Sequence, residues 1–243
     1  MGAGDFRHLP KRSGWLLFLV VFSGVTAVPA QDNSTRTEFW PEVNLYVNLK
    51  PRLRLFVLGT VSKSVEDGEL LKGDAFEGQF GAHLDYVRNQ HLSLRAGYRY
   101  GTSIGDTTDE FKEHRLLTEQ TLRKQTAWNL LLSDRNREDF RSINHDFSFR
   151  YRNRLTVERE FRIPRGRTLT PYVSAEAFFD TRYNVWNKSR FGAGVQIPLK
   201  RGPLNLLLPQ HQTVLDVYYL RQHDTRSSTT HLNALGIVLA FYL

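Results

Sequence analysis

The sequence predicts an all-β chain: a transmembrane antiparallel up-and-down β-barrel of about twelve strands, with ten as the alternative. Three observations predict it. From Thr37 onward apolar and polar residues alternate with a period of two, the spacing that sends successive side chains to opposite faces of a strand. Many of these runs are ten residues or longer, closer to the roughly 9–11 residues of a tilted membrane strand than to the ~5–6 of a soluble one. Short turns also alternate with longer polar connections, as they do around an outer-membrane barrel.

Composition agrees with that class and removes others. The 243 residues are 24% charged and 40% hydrophobic, with a mean hydropathy of −0.43. Those values exclude a bundle of membrane helices but not a barrel, which needs apolar residues on one face only. No cysteine is present, so disulfides, thiolate metal sites and cysteine nucleophiles are excluded. The net charge is +8, yet the basic residues alternate with apolar ones and do not gather on one helical face, which argues against nucleic acid.

Residues 1–30 read as a signal peptide. Arg7, Lys11 and Arg12 form a basic head, the run 15–21 is apolar and is extended by Phe22 and Val25, and Val28-Pro29-Ala30 offers small residues for cleavage after Ala30. The apolar run falls short of the ~20 residues of a spanning helix. Cleavage leaves 31–243 as one barrel domain carrying 30 Lys and Arg against 24 Asp and Glu, a net charge of +6. The expected location is the outer membrane of a diderm bacterium.

Eleven alternating segments follow in order: 37–49, 53–63, 75–87, 92–101, 111–123, 127–137, 146–162, 169–183, 188–199, 212–222 and 230–243. In the first, Phe39, Val43, Leu45 and Val47 oppose Glu38, Glu42, Asn44 and Asn48; in the second, Phe56 and Leu58 blur the polar side. The clearest pair sets Phe147, Phe149, Tyr151 and Leu155 against Ser148, Arg150, Arg152 and Arg154, then Val173, Ala175 and Ala177 against Ser174, Glu176 and Asp180. Short turns fall at Lys50-Pro51-Arg52, Arg88-Asn89-Gln90 and Pro164-Arg165-Gly166, and longer connections at 63–74, 101–109, 134–144 and 223–229. Trp40, Tyr100, Tyr183 and Trp186 lie near segment ends, where interfacial girdles are expected. Closed single-chain bacterial barrels have even strand counts. The apolar stretch 204–208, between Pro203 and Pro209, is therefore a candidate for a twelfth element.

The polar faces carry the candidate chemistry. Arg95, Arg99, Arg115, Arg123, Arg150, Arg152, Arg154, Arg182 and Arg190 are set against Glu38, Glu42, Glu77, Asp85, Glu113, Glu119, Glu158, Glu160, Glu176 and Asp180. Arg95, Arg99, Arg150, Arg152, Arg154, Glu158 and Glu176 are the leading lumen or ion-pair candidates. They either line a pore that sorts solutes by sign, with Arg150, Arg152 and Arg154 able to grip carboxylate or phosphate bidentately, or pair across strands and fill a narrow interior. The balance favours the paired network.

Catalytic signals are weak. His91 and Ser93 share a strand face and resemble the nucleophile spacing of outer-membrane phospholipases, but the Ser-Asn-Gly context and an orienting Asn are missing. In His145-Asp146 and His223-Asp224 the neighbours point to opposite faces. His83 and Asp85 share a face, too few ligands for a metal site. No catalytic residue, metal or cofactor is assigned.

The chain over 38–243 resembles the bacterial outer-membrane family known as domain of unknown function 2490. The resemblance rests on Glu38-Phe39-Trp40-Pro41, on Arg150-Tyr151-Arg152-Asn153-Arg154-Leu155 with Glu158, on Thr170-Pro171-Tyr172-Val173 with Glu176, and on Tyr218-Tyr219. It implies an outer-membrane β-barrel without an assigned activity; the connection 201–212 looks like an insertion relative to the family pattern. Three functions are expected in descending order: a narrow passive channel for small, preferentially anionic solutes; a plugged structural or interaction barrel; and an outer-membrane hydrolase using His91 and Ser93. The expected partners are outer-membrane lipid and, during insertion, the barrel-assembly machinery.

Overall fold

The computed structural model describes residues 35–66, 69, 73–105, 110–164, 167–199, 212–226 and 231–243. The signal segment 1–30 and the candidate element at 204–208 lie outside them. The strands are β1 (Thr35–Lys50), β2 (Leu53–Ser64), β3 (Ala75–Val87), β4 (Leu92–Ser103), β5 (Lys112–Gln125) and β6 (Leu130–Ile143). They continue as β7 (Asp146–Arg159), β8 (Phe161–Ile163), β9 (Arg167–Asp180), β10 (Val185–Leu199), β11 (Gln212–Asp224) and β12 (His231–Tyr242). Neighbours in sequence pair in turn, and β12 pairs with β1 to close the sheet.

Among the described residues, twelve strands make eleven staves. The short β8 resumes the pairing of β7 with β9 in the same register, Glu158↔Tyr172 before the break at Glu160 and Phe161↔Leu169 after it. The seventh expected segment is thus two strands on one line. An odd number of staves has a consequence for closure. The first and last run in the same direction, so the sheet can close only through a parallel pair, which runs from Thr35↔His231 to Tyr46↔Tyr242. The barrel is antiparallel as expected at its other pairings, and this closing seam alone departs from that pattern among the described strands. Closure leaves no row of unpaired backbone groups, which hydrocarbon does not tolerate. Despite the long connection before β11, β10 and β11 keep one register from Lys188↔Asp224 to Leu199↔Thr213.

The connection expected at 134–144 is mostly strand. β6 continues to Ile143 and turns on Asn144 and His145, whose φ angles are 49° and 76°. Two positive φ values make a tight hairpin turn whose twist matches the strands it joins. The stretch Ser133-Asp134-Arg135-Asn136-Arg137-Glu138-Asp139 is polar on both faces, so alternation fades there and the expected segment 127–137 stops short of Ile143.

The outer surface is an apolar belt. Phe80, Leu84, Leu94, Leu116, Leu155, Val173 and Phe191 are all exposed there, far more than a water-soluble surface carries in contiguous patches. Inside, the wall is of two kinds. Around the parallel seam it is apolar, with Phe56, Leu58, Leu220, Leu232, Ala234, Val238 and Ala240 buried. An aromatic ladder runs around this sector: Tyr242 stacks on Tyr46 at 4.5 Å, Tyr46 on Phe56 at 4.6 Å, and Phe56 leans on His83 at 5.1 Å. Gly236 belongs to the same surface; a β-carbon there would run into the ring of Tyr218. The remaining inner wall, from β4 to β10, is cationic.

Candidate functional site

The cationic wall follows from alternation and register. Strand geometry sends Arg135, Arg137, Asp139 and Arg141 of β6 inward, beside Arg150, Arg152 and Arg154 of β7 and Glu176 and Asp180 of β9. The register places like charges directly opposite: Arg137↔Arg152, Arg135↔Arg154, Arg115↔Arg141 and Arg99↔Arg115. Such pairs repel, and the carboxylates between them offset the repulsion.

Two carboxylates act as hubs. Glu176 accepts from Arg152 at 2.8 Å, Arg154 at 2.9 Å and Arg135 at 3.0 Å. Asp180 accepts from Arg150 at 2.8 Å, Arg182 at 3.0 Å and Arg141 at 3.3 Å. Asp85 takes both Nε and Nη2 of Arg95, at 2.6 and 2.9 Å, with Arg54 at 3.3 Å. Glu113 is shared by Arg115 and Arg141, and Asp139 accepts from Arg137 at 2.7 Å. Asp139 and Asp180 are fully buried.

The result is layered. Short carboxylates sit near the wall and longer guanidiniums lie over them, so the cavity face is cationic although the wall is largely paired. The cavity holds about 750 Å³, and among the described residues twelve basic and five acidic side chains line it. Phe178, buried on β9, lies under Arg152 at 4.7 Å and Arg190 at 4.9 Å from its ring centroid. Delocalised guanidinium charge is well suited to such faces. Two of the cations reach to the apolar sector: Arg95 lies 4.1 Å over Phe56 and Arg190 lies 5.5 Å from the Trp40 ring.

Of the sequence candidates, Arg95, Arg150, Arg152, Arg154 and Glu176 lie in this network. Arg99 lines the cavity without an ion pair among the described residues; it donates to Gln79 at 3.3 Å. Glu158, toward the end of β7, makes no ion pair among them and does not line the cavity. Sequence reading did not single out Arg135, Arg137, Asp139 and Arg141: the first two lie where the expected segment 127–137 overlaps the expected connection 134–144, the last two in that connection alone. Trp40 is corrected as a girdle residue: its indole faces the cavity and donates to Glu38 at 2.6 Å. Trp128, Tyr183 and Trp186 are exposed.

The hydrolase pair is not assembled. His91 Nδ1 lies 3.1 Å from the Arg123 carbonyl and Nε2 lies 3.0 Å from the Gln90 amide, while Ser93 Oγ accepts from Arg123 at 2.9 Å. The two do not bond to each other. Among the described residues no cluster of three or more metal-ligating side chains occurs.

The sequence comparison adds a family. A model described as protein of unknown function (DUF2490) matches residues 32–233. The chain belongs to this DUF2490 family. The match runs from β1 into the first residues of β12. Among solved structures, the β domain of the Bordetella autotransporter BrkA is similar at 14% identity, with a TM-score of 0.44, over 78% of this chain and 79% of that one. No curated protein is similar enough to count as a match.

Proposed function

We propose that this DUF2490 protein is a non-enzymatic outer-membrane barrel, exported by a signal peptide cleaved near Ala30, whose narrow lumen admits small anions. The observation that carries the reading is the cavity surface, where twelve basic side chains face five acidic ones among the described residues. Anions meet guanidiniums there, while the strongest carboxylate hubs lie behind them. Arg137 Nη2 and Arg99 Nε are buried without an acceptor among the described residues, and unmet donors of this kind favour an anion over a cation. The apolar outer belt supports lipid as the surrounding medium, and insertion by the barrel-assembly machinery follows from that location.

The test is single-channel conductance in a planar bilayer, using protein whose folding is verified by heat-modifiable gel mobility. The expected result is a small steady conductance with an anion-biased reversal potential under a salt gradient. A cation-biased potential overturns the reading.

One observation favours a second reading, a plugged barrel. Arg95 and Arg190 extend from the cationic wall to Phe56 and Trp40 on the apolar side, which narrows the interior. Silence from a folded barrel in the same experiment selects that reading.

A further inference from the structure

Among the described residues, a polar island interrupts the outer belt on β5–β7. Outward positions there hold Thr118 and Gln120 on β5, Asp134, Asn136 and Glu138 on β6, and Asn153 on β7, which the register brings side by side: Thr118↔Glu138, Gln120↔Asn136 and Asn136↔Asn153. This island lies within the apolar band. Leu116 and Leu122 bracket it along β5, Leu132 and Phe140 along β6, and all four are exposed. Leu155, also exposed, bounds it on β7. Two carboxylates and three amides therefore face outward at mid-height, where hydrocarbon offers no partner to a polar group.

Part of the island is satisfied internally. Thr118 donates to Glu138 Oε2 at 2.8 Å, Asn153 donates to Asp134 Oδ1 at 2.6 Å and to Asn136 Oδ1 at 3.0 Å, and the Tyr151 hydroxyl donates to Asn136 Oδ1. The remainder is not. Among the described residues the Gln120 amide, Asn136 Nδ2, Glu138 Oε1 and Asp134 Oδ2 have no hydrogen-bond partner. The free set holds donors and acceptors together, which makes the surface complementary to itself. Beside it a groove of about 500 Å³ opens between Leu94 and Glu138, giving the face relief for interdigitating side chains.

We propose that a second copy of this chain packs against the outer face of β5–β7 about a two-fold axis along the membrane normal, so that the free amides of Gln120 and Asn136 meet the free carboxylate oxygens of Asp134 and Glu138 of the other copy. A two-fold contact uses one patch twice and needs exactly such mixed donors and acceptors. Polar contacts of this kind join membrane segments where apolar packing alone gives no preference. The inference rests on the membrane reading above.

The natural chain has no cysteine, so single substitutions report cleanly. Gln120→Cys and Asn136→Cys are treated with a short bis-maleimide in native outer membranes, with Ile237→Cys, outward on β12, as the control. The first two are expected to give a species of twice the chain mass, and the control none. Monomer bands alone from folded, membrane-inserted protein overturn the pairing and leave the membrane reading intact; so does an adduct of any other mass. Chain recovered outside the membrane fraction overturns both. Sedimentation equilibrium of the unmodified protein in mild detergent gives a second measurement: two copies are expected, shifting to one when Gln120, Asn136 and Glu138 are replaced by Leu with folded gel mobility retained. A single copy of the unmodified protein at every concentration overturns the proposal.

Discussion

Tyr46 and Tyr242 stack face to face across the parallel seam, with ring centroids 4.5 Å and planes 4° apart. They are Cα partners in the register that closes the barrel. Parallel pairing is slightly weaker per residue than antiparallel, and this stack, continued by Phe56 at 4.6 Å, ties the first and last strands from the inside. Offset and stacked aromatic pairs contribute roughly 0.5–1.5 kcal/mol beyond their burial. A double-mutant cycle of Tyr46→Ala and Tyr242→Ala, read by chemical unfolding of the lipid-inserted barrel, should give a coupling of about that size. Additive losses would show that the stack does not hold the seam.

Glu176 makes four ion pairs among the described residues, the fourth with Arg190 at 3.9 Å, against three for Asp180. Glu176→Gln removes the negative charge that Arg135, Arg152 and Arg154 share and turns one acceptor oxygen into a donor, and removing one charged member of a buried ion network costs about 3–5 kcal/mol. Arg154→Gln should cost clearly less, because Arg152 and Arg135 still satisfy Glu176. Unfolding midpoints of the two variants give the order; the reverse order contradicts the hub.

Arg99 separates lumen charge from stability. It lines the cavity and, among the described residues, hydrogen-bonds only Gln79, so Arg99→Gln leaves none of their carboxylates stranded. Its stability should stay within about 1 kcal/mol of the parent, while the anion preference of the conductance falls. An unchanged reversal potential would remove Arg99 from the selective surface.

Gly236 leaves room for Tyr218 on the inner face of β12. Gly236→Ala forces the ring to move and should destabilise the barrel by about 1–3 kcal/mol, the usual cost of overpacking. Adding Tyr218→Ala should restore part of that loss. If the second change only deepens the loss, the contact is not the cause.

Much of the barrel is legible in the sequence, because its physical origin is local. Alternation at a period of two fixes which side chains share a face, and it marks ten of the eleven staves close to their observed limits. The exception is β6, where Asp134, Asn136 and Glu138 on the outer face leave no apolar series to oppose Arg135, Arg137 and Asp139. The same polar outer face that ended the expected strand at 137, short of Ile143, is the feature that calls for a partner.

What alternation determined is the set of faces: Arg150, Arg152, Arg154, Glu176 and Asp180 share the inner wall as soon as their strands form. Tertiary structure decided the rest. Whether the first and last staves meet in parallel, and so put Tyr46 on Tyr242, depends on closure of the whole sheet. Which carboxylate holds which arginine depends on register between strands far apart in sequence, such as Arg135 on β6 reaching Glu176 on β9. Local spacing carries no information about either, because both are set by contacts that exist only once the barrel is closed.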